Sequence, residues 1–116
     1  MRIDVRTVGN VHILDCMGKI TVGWGALTIR NAVRDELTGG ASKILLNLSN
    51  AECIDEAGFA ELVVSHTTAR KQGVQLKFLD TTKRIHGMFL AAKFCTVFEV
   101  FDSEQAAIDS FGGIGL

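Results

Sequence analysis

The period of apolar and polar positions changes repeatedly along the chain, and each change marks an element. From Ile3 to Val8 the residues alternate, Ile3, Val5 and Thr7 against Asp4, Arg6 and Val8, which predicts a strand. Gly9-Asn10 separates it from a second apolar run, Val11 to Met17, closed by Gly18. A two-residue Gly-Asn link between such runs predicts a hairpin. Ala26, Ile29, Arg30, Val33 and Leu37 then recur at steps of three and four, a helix that Gly39-Gly40 ends. Ile44-Leu45-Leu46-Asn47-Leu48 is almost wholly apolar, as expected of a strand covered on both faces. The helical period returns at Phe59, Leu62, Val63, His66 and Ala69. Asp55 is placed to cap that helix, Glu56 suits the positive end of its dipole, Arg70 and Lys71 suit the other end, and Gly73 closes it.

Val74 to Leu79 alternates as a further strand. Thr81 or Thr82 is the expected cap of a third helix carrying Ile85, Met88, Phe89 and Ala92, and Val97 to Phe101 reads as a last strand. Asp102 with Gln105 fits a capping box for a final helix through Ala107, Ile108 and Phe111. The order β-β-α-β-α-β-α-β-α predicts an α/β fold: a four- to five-stranded mixed sheet, mostly parallel after its opening hairpin, packed by about four helices. With 116 residues, no proline and no Gly/Ser tract, the chain is expected to form one domain over 1–111, with 112–116 a flexible tail.

Composition narrows the function classes. A net charge of -1, with no run of Lys and Arg, gives no footprint for nucleic acid. The apolar runs fall far short of the ~20 residues that cross a bilayer. Asp4 also stands where a signal peptide would begin its apolar stretch, so the expected location is the cytoplasm. Three cysteines, Cys16, Cys53 and Cys95, without a CxxC spacing, point to buried thiols and not to a disulfide frame or zinc knuckle. His12, His66 and His86 have no partner at ligand spacing, so no metal and no cofactor are assigned.

The most informative stretch runs from Asn47 to Phe59: a buried strand, a polar loop, and an acidic cap on a helix. Unpaired N–H groups at such a helix start are able to hold an anion, and Gly58 leaves the first turn open to the approach of another molecule. Asn47-Leu48, Ile54-Asp55, Gly58-Phe59 and Leu62, with the turn Met17-Gly18-Lys19-Ile20, Gly73 before a strand, Lys83-Arg84-Ile85, Phe94 to Phe98 and Ser103 to Ala107, resemble the STAS domains of the anti-sigma factor antagonist type. The resemblance implies a non-enzymatic module that binds a kinase-fold anti-sigma factor. It also implies a hydroxyl residue phosphorylated at the helix start, whose charge breaks the complex. That position is Ala57 here, preceded by Glu56, and neither offers a hydroxyl. Two readings follow: a domain always able to bind, or one in which Glu56 partly mimics the modified state. The first is preferred, because a Glu in the first turn faces solvent and favours the dipole. Lys19 and Thr21 stand where many relatives carry acids.

The residues expected to touch the partner are Asp55, Glu56, Ala57, Gly58, Phe59, Leu62, Lys19, Thr21 and Trp24. Asp55 serves equally as a plain cap, and Trp24 as a cover for the sheet edge. Phe89, Phe94, Phe98 and Phe101 read as core. Ser49, Ser65 and Thr67 read as structural hydroxyls before alternative phosphosites. The alternative function is a STAS-type sensor or scaffold for a nucleotide or lipid, although no Gly-rich phosphate loop is present. A cysteine hydrolase built on Cys53 or Cys95 lacks any nucleophile elbow. The sequence leaves a homodimer open.

Overall fold

The computed structural model describes residues 1–83, 85, 87 and 98–112. Strands β1 (Arg2–Val8) and β2 (Val11–Ile20) form the expected hairpin. They are followed by α1 (Trp24–Thr38), β3 (Lys43–Ile54), α2 (Glu56–Lys71), β4 (Gln75–Leu79), β5 (Val100–Phe101) and α3 (Glu104–Ser110). The five strands lie in sequence order across one sheet, the first pair antiparallel and the other three parallel. The mixed sheet and its opening hairpin are thus as expected from the pattern. The proposed helix through Met88, Phe89 and Ala92 lies outside the described residues, as do His86, Phe94, Cys95, Val97 and residues 113–116 of the expected tail.

Alternation along the central strands sets two cores. Leu14 and Cys16 of β2 and Ile44, Leu46 and Leu48 of β3 face Ile29, Val33, Leu62 and Ala69 of α1 and α2. Val11, Ile13 and Leu45 point to the other face together with Leu79 of β4, and Ala107 and Phe111 cover them. The apolar run in β3 is therefore covered on both sides, as its composition predicts.

Three expectations need correction. β2 does not end at Gly18. It continues to Ile20 through register shifts on either side of that glycine, whose φ of 108° lies where side chains are disfavoured. The stretch after Leu48 is not a loop, because β3 runs to Ile54, pairing Asn50 with Met17 and Cys53 with Lys19. The Asp102–Gln105 box does not form. Ser103 caps α3, its Oγ accepting from Ala106 N, while Gln105 Nε2 donates to Asp109.

Two buried charges tie the C-terminal elements down. Asp80, fully buried, accepts from the Thr82 N–H and hydroxyl and from the Ile85 N–H. Lys77 donates to Ser110 O and Oγ and pairs with Glu99 at 2.7 Å, its ammonium 4.8 Å from the Phe111 ring centre.

Arg6 of β1 spans the same face, bonding Asp15 at 2.7 Å and Glu104 of α3. The Arg6 hydrogen bond holds the Glu104 carboxyl below its usual range. Burial pushes Asp15 up, but hydrogen bonds from Arg6 and Asn47 outweigh it and leave its pKa lowered. Carboxyls depressed in the folded state contribute stability above their unfolded pKa of about 4, and that contribution disappears as pH falls through the folded values. Urea stability is therefore expected to drop below about pH 4, and Arg6→Met is expected to flatten that drop. An unchanged acid limb in the variant would show that the cluster does not carry it.

Candidate functional site

The site forms where β2 and β3 end side by side. The pairs Lys19↔Cys53 and Ile20↔Ile54 bring together segments far apart in sequence, and each strand then leads into a helix start. Asp55 joins the two. Its Oδ1 accepts from Gly58 N at 2.8 Å as the α2 cap, and its Oδ2 accepts from Val22 N at 2.9 Å in the segment before α1. The Gly58 and Val22 N–H bonds hold the Asp55 carboxyl below its usual range. Asp55 is thus the expected cap and also a clasp between loops, a second role the sequence does not reveal. The anion position at the start of α2 is already filled by the chain's own carboxylate.

Gly58 has a different purpose from the one expected of it. A Cβ there would stand 1.8 Å from Ile20 O, so the close neighbour of the first turn is the end of β2, not another molecule. Gly25 does the same in α1, where a Cβ would stand 2.2 Å from Lys19 O. Two glycines let two helices rest their first turns on one strand end.

Between these helix starts lies an open groove of about 510 Å³, lined by Val22, Ala26, Leu27, Ala57, Ala60 and Val64. Three of these six are alanines. Its larger apolar side chains are unusually exposed: Val22 74%, Leu27 44% and Val64 50%, with Trp24 at 73% in the adjoining first turn of α1. Arg30 and Glu61 border it. Their bidentate pair, both bonds 3.0 Å, crosses from α1 to α2 and satisfies a Glu61 side chain only 5% exposed.

The nine expected contact residues divide cleanly. Ala57 lines the groove, Lys19, Trp24 and Glu56 are exposed beside it, and Thr21 and Asp55 are partly exposed. Phe59 packs against the core, Gly58 is buried, and Leu62 is fully buried, so Leu62 supports the face from beneath and has no surface to offer. Val22, Ala26, Leu27, Ala60 and Val64 line the groove and are not among the nine. Their signal was available in Leu27 and Val64, apolar residues off the buried stripes of α1 (Ile29, Val33) and α2 (Leu62, Ser65, Ala69).

Other candidates sit elsewhere. Cys16 is buried, and burial pushes its thiol up to about 12, which leaves it unreactive, whereas Cys53 is exposed on β3. His66 packs 4.5 Å from the Phe98 ring centre, and burial lowers its pKa. Ser49 Oγ accepts from Thr81 N, Ser65 is buried, and Thr67 bonds Val63 O, all structural uses. Among the described residues no cluster of three metal-ligating side chains occurs, and no helix is long and apolar enough to cross a membrane.

The fold is thus an in-order mixed α/β sheet whose central strands deliver two helix starts to one end. The STAS domain family model matches residues 2–107, and the chain belongs to that family. Among solved structures it is similar to a candidate anti-sigma factor antagonist of Thermotoga maritima (TM-score 0.84, 20% identity, 93% of this chain and 92% of that one). It is also similar to an anti-sigma factor antagonist of Mycobacterium paratuberculosis (TM-score 0.81, 12% identity, 94% and 92%). A third is the Bacillus antagonist SpoIIAA in its unphosphorylated form (TM-score 0.73, 16% identity, 97% and 100%), a protein whose structure is also known phosphorylated. At these identities the structures share the fold. No curated protein matches the sequence.

Proposed function

We propose that this chain is a cytoplasmic, non-enzymatic interaction module of the anti-sigma factor antagonist type, which binds a kinase-fold anti-sigma factor through the α1–α2 groove and is not switched by phosphate at position 57. The observation that carries this reading is the exposed apolar groove with Ala57 in its lining. A groove of this kind, rimmed by Trp24 and bordered by an Arg–Glu pair, has the apolar centre and polar rim of a protein-binding surface. In a relative with a hydroxyl at that position, a phosphate would add about -1.5 to -2 charge units among apolar side chains, and desolvation alone would oppose docking. Ala57 keeps that part of the lining neutral. Glu56, exposed and outside the groove lining, leaves it neutral too, which supports a domain always able to bind over a phosphomimic. The occupied anion position at Asp55 and the absence of a phosphate loop weigh against the nucleotide-sensor reading.

The test is titration of the purified chain against the kinase-fold anti-sigma factor of its own source, with ADP and then ATP. Binding at micromolar concentration or tighter is expected in both, without phosphate transfer. Ala57→Ser is expected to accept phosphate and release the partner under ATP. Absence of binding in either nucleotide would overturn the proposal. Binding lost on ATP addition to the unaltered chain would overturn its second half.

A further inference from the structure

Strand β1 closes one side of the sheet, and among the described residues no strand pairs with its outer edge. An uncovered edge is a template for another strand, and proteins usually blunt it with charge, proline or a bulge. The Arg2–Val8 strand has no proline, pairs with β2 in unbroken register and leaves Val5 51% exposed. Its charges have both signs, and their spacing carries the inference. We propose that β1 pairs with the β1 of a second copy of this chain, antiparallel and centred on Val5.

The hairpin geometry fixes which backbone groups are free. Gly9, at φ 60°, and Asn10 form a two-residue turn that pairs Val8 with Val11. In such a hairpin the closing pair exchanges hydrogen bonds and the pattern alternates along the ladder, so Val8, Arg6, Asp4 and Arg2 bond to β2. The N–H and C=O groups of Ile3, Val5 and Thr7 point outward. An antiparallel copy centred on Val5 sets Val5 against Val5 and Ile3 against Thr7 in both directions, and these are the residues with free groups. The non-bonded positions between them set Asp4 against Arg6, twice. Opposite charges directly across a ladder are favourable, and like charges would oppose the pairing. A shift of centre to Thr7 sets Arg6 against Val8 and loses that complementarity, while a shift to Ile3 sets Asp4 against Arg2 and keeps it but shortens the ladder. Arg6 already faces Asp15 and Glu104 on its own chain, so Asp4 of the second copy would extend an acidic arrangement around one guanidinium.

The two-fold axis of this pairing runs perpendicular to the sheet. Both copies then carry α1 and α2 on the same face of one continuous sheet, with the two grooves open. The pairing does not depend on the function proposed above.

Sedimentation across a concentration series tests it. The unaltered chain is expected to pass from monomer toward dimer by about 1 mM, and a chain still monomeric there would overturn the proposal. Val5→Pro removes an outward N–H and no bond to β2, and Asp4→Arg sets like charges against each other. Each is expected to weaken association at least tenfold with an unchanged thermal midpoint, and a dimer that persists in both would overturn the proposal. Register is read by Val5→Cys in a Cys53→Ser background under oxidation. Opposite Cα atoms in a bonded antiparallel pair stand about 5.5 Å apart, within disulfide reach, so a covalent dimer is expected. Thr7→Cys, whose copies lie about four residues apart along the ladder, is expected to give none. The reverse result would place the centre of the pairing at Thr7 and overturn the register proposed here.

Discussion

Gly58→Ala is expected to remove at least ~3 kcal/mol of stability and to lower the thermal midpoint by about 12 °C or more. A Cβ at this position would stand 1.8 Å from Ile20 O and 2.8 Å from Ile20 C, and neither atom has room to retreat. Ile20 O accepts the Asp55 N–H, and Ile20 is held in register with Ile54. The helix cannot lift away without drawing Asp55 off Val22 and Leu62 out of the core. Ordinary overpacking lets a flexible side chain turn aside, whereas here both partners are backbone. Urea unfolding measures the loss. Glu56→Ala, exposed in the same turn, serves as the control and is expected to change stability far less. A Gly58→Ala midpoint within a few degrees of the unaltered chain would refute this reading of the contact.

Leu27→Asp is expected to leave folding intact and to weaken the proposed partner by more than about a hundredfold, close to 3 kcal/mol. Leu27 is 44% exposed and lies off the buried stripe of α1, so the free protein loses little by the change. In a complex that fills the groove, the substitution removes an apolar contact and strands a carboxylate in a dry interface, which costs more than the contact was worth. The two readouts separate a docking residue from a structural one. Calorimetric titration should show binding lost while the melting curve is kept. Equal damage to both would make Leu27 part of the core, and retained binding would move the interface off this groove.

The comparison of sequence with structure turns on which physical signals are local. The hairpin was legible because Gly9-Asn10 sits between two apolar runs, and β3 because a strand buried on both faces is apolar at successive positions. Asp55 as a cap was legible from its place before Glu56. Its second bond, to Val22 N, was not, because it joins positions 33 residues apart. The same limit applies to Gly58, whose neighbour Ile20 O belongs to another strand. The extension of β3 to Ile54 was hidden because Ser49, Asn50 and Glu52 are residues that favour turns or solvent, and pairing with β2 overrides that preference. Ala57 was singled out by resemblance, but the groove around it was missed. Leu27 and Val64 fall outside the helical stripes, and the period of a stripe is silent about an apolar face left outside it.

The in-order arrangement of the sheet also bears on how the chain acquires its structure. Each strand neighbours its predecessor, so no strand has to be inserted between two already in place, and the sheet is able to grow by addition at one side. Successive pairings of β1 through β4 then span only a hairpin or one strand–helix–strand unit, which keeps the loop-closure entropy of each step small. During synthesis the N-terminal half would have β1, β2, α1 and β3 available as a partial sheet with its own apolar face before β4 leaves the ribosome. Arg6 of β1 also pairs with Glu104 of α3, which ties the later-made helix back to the strand made before it.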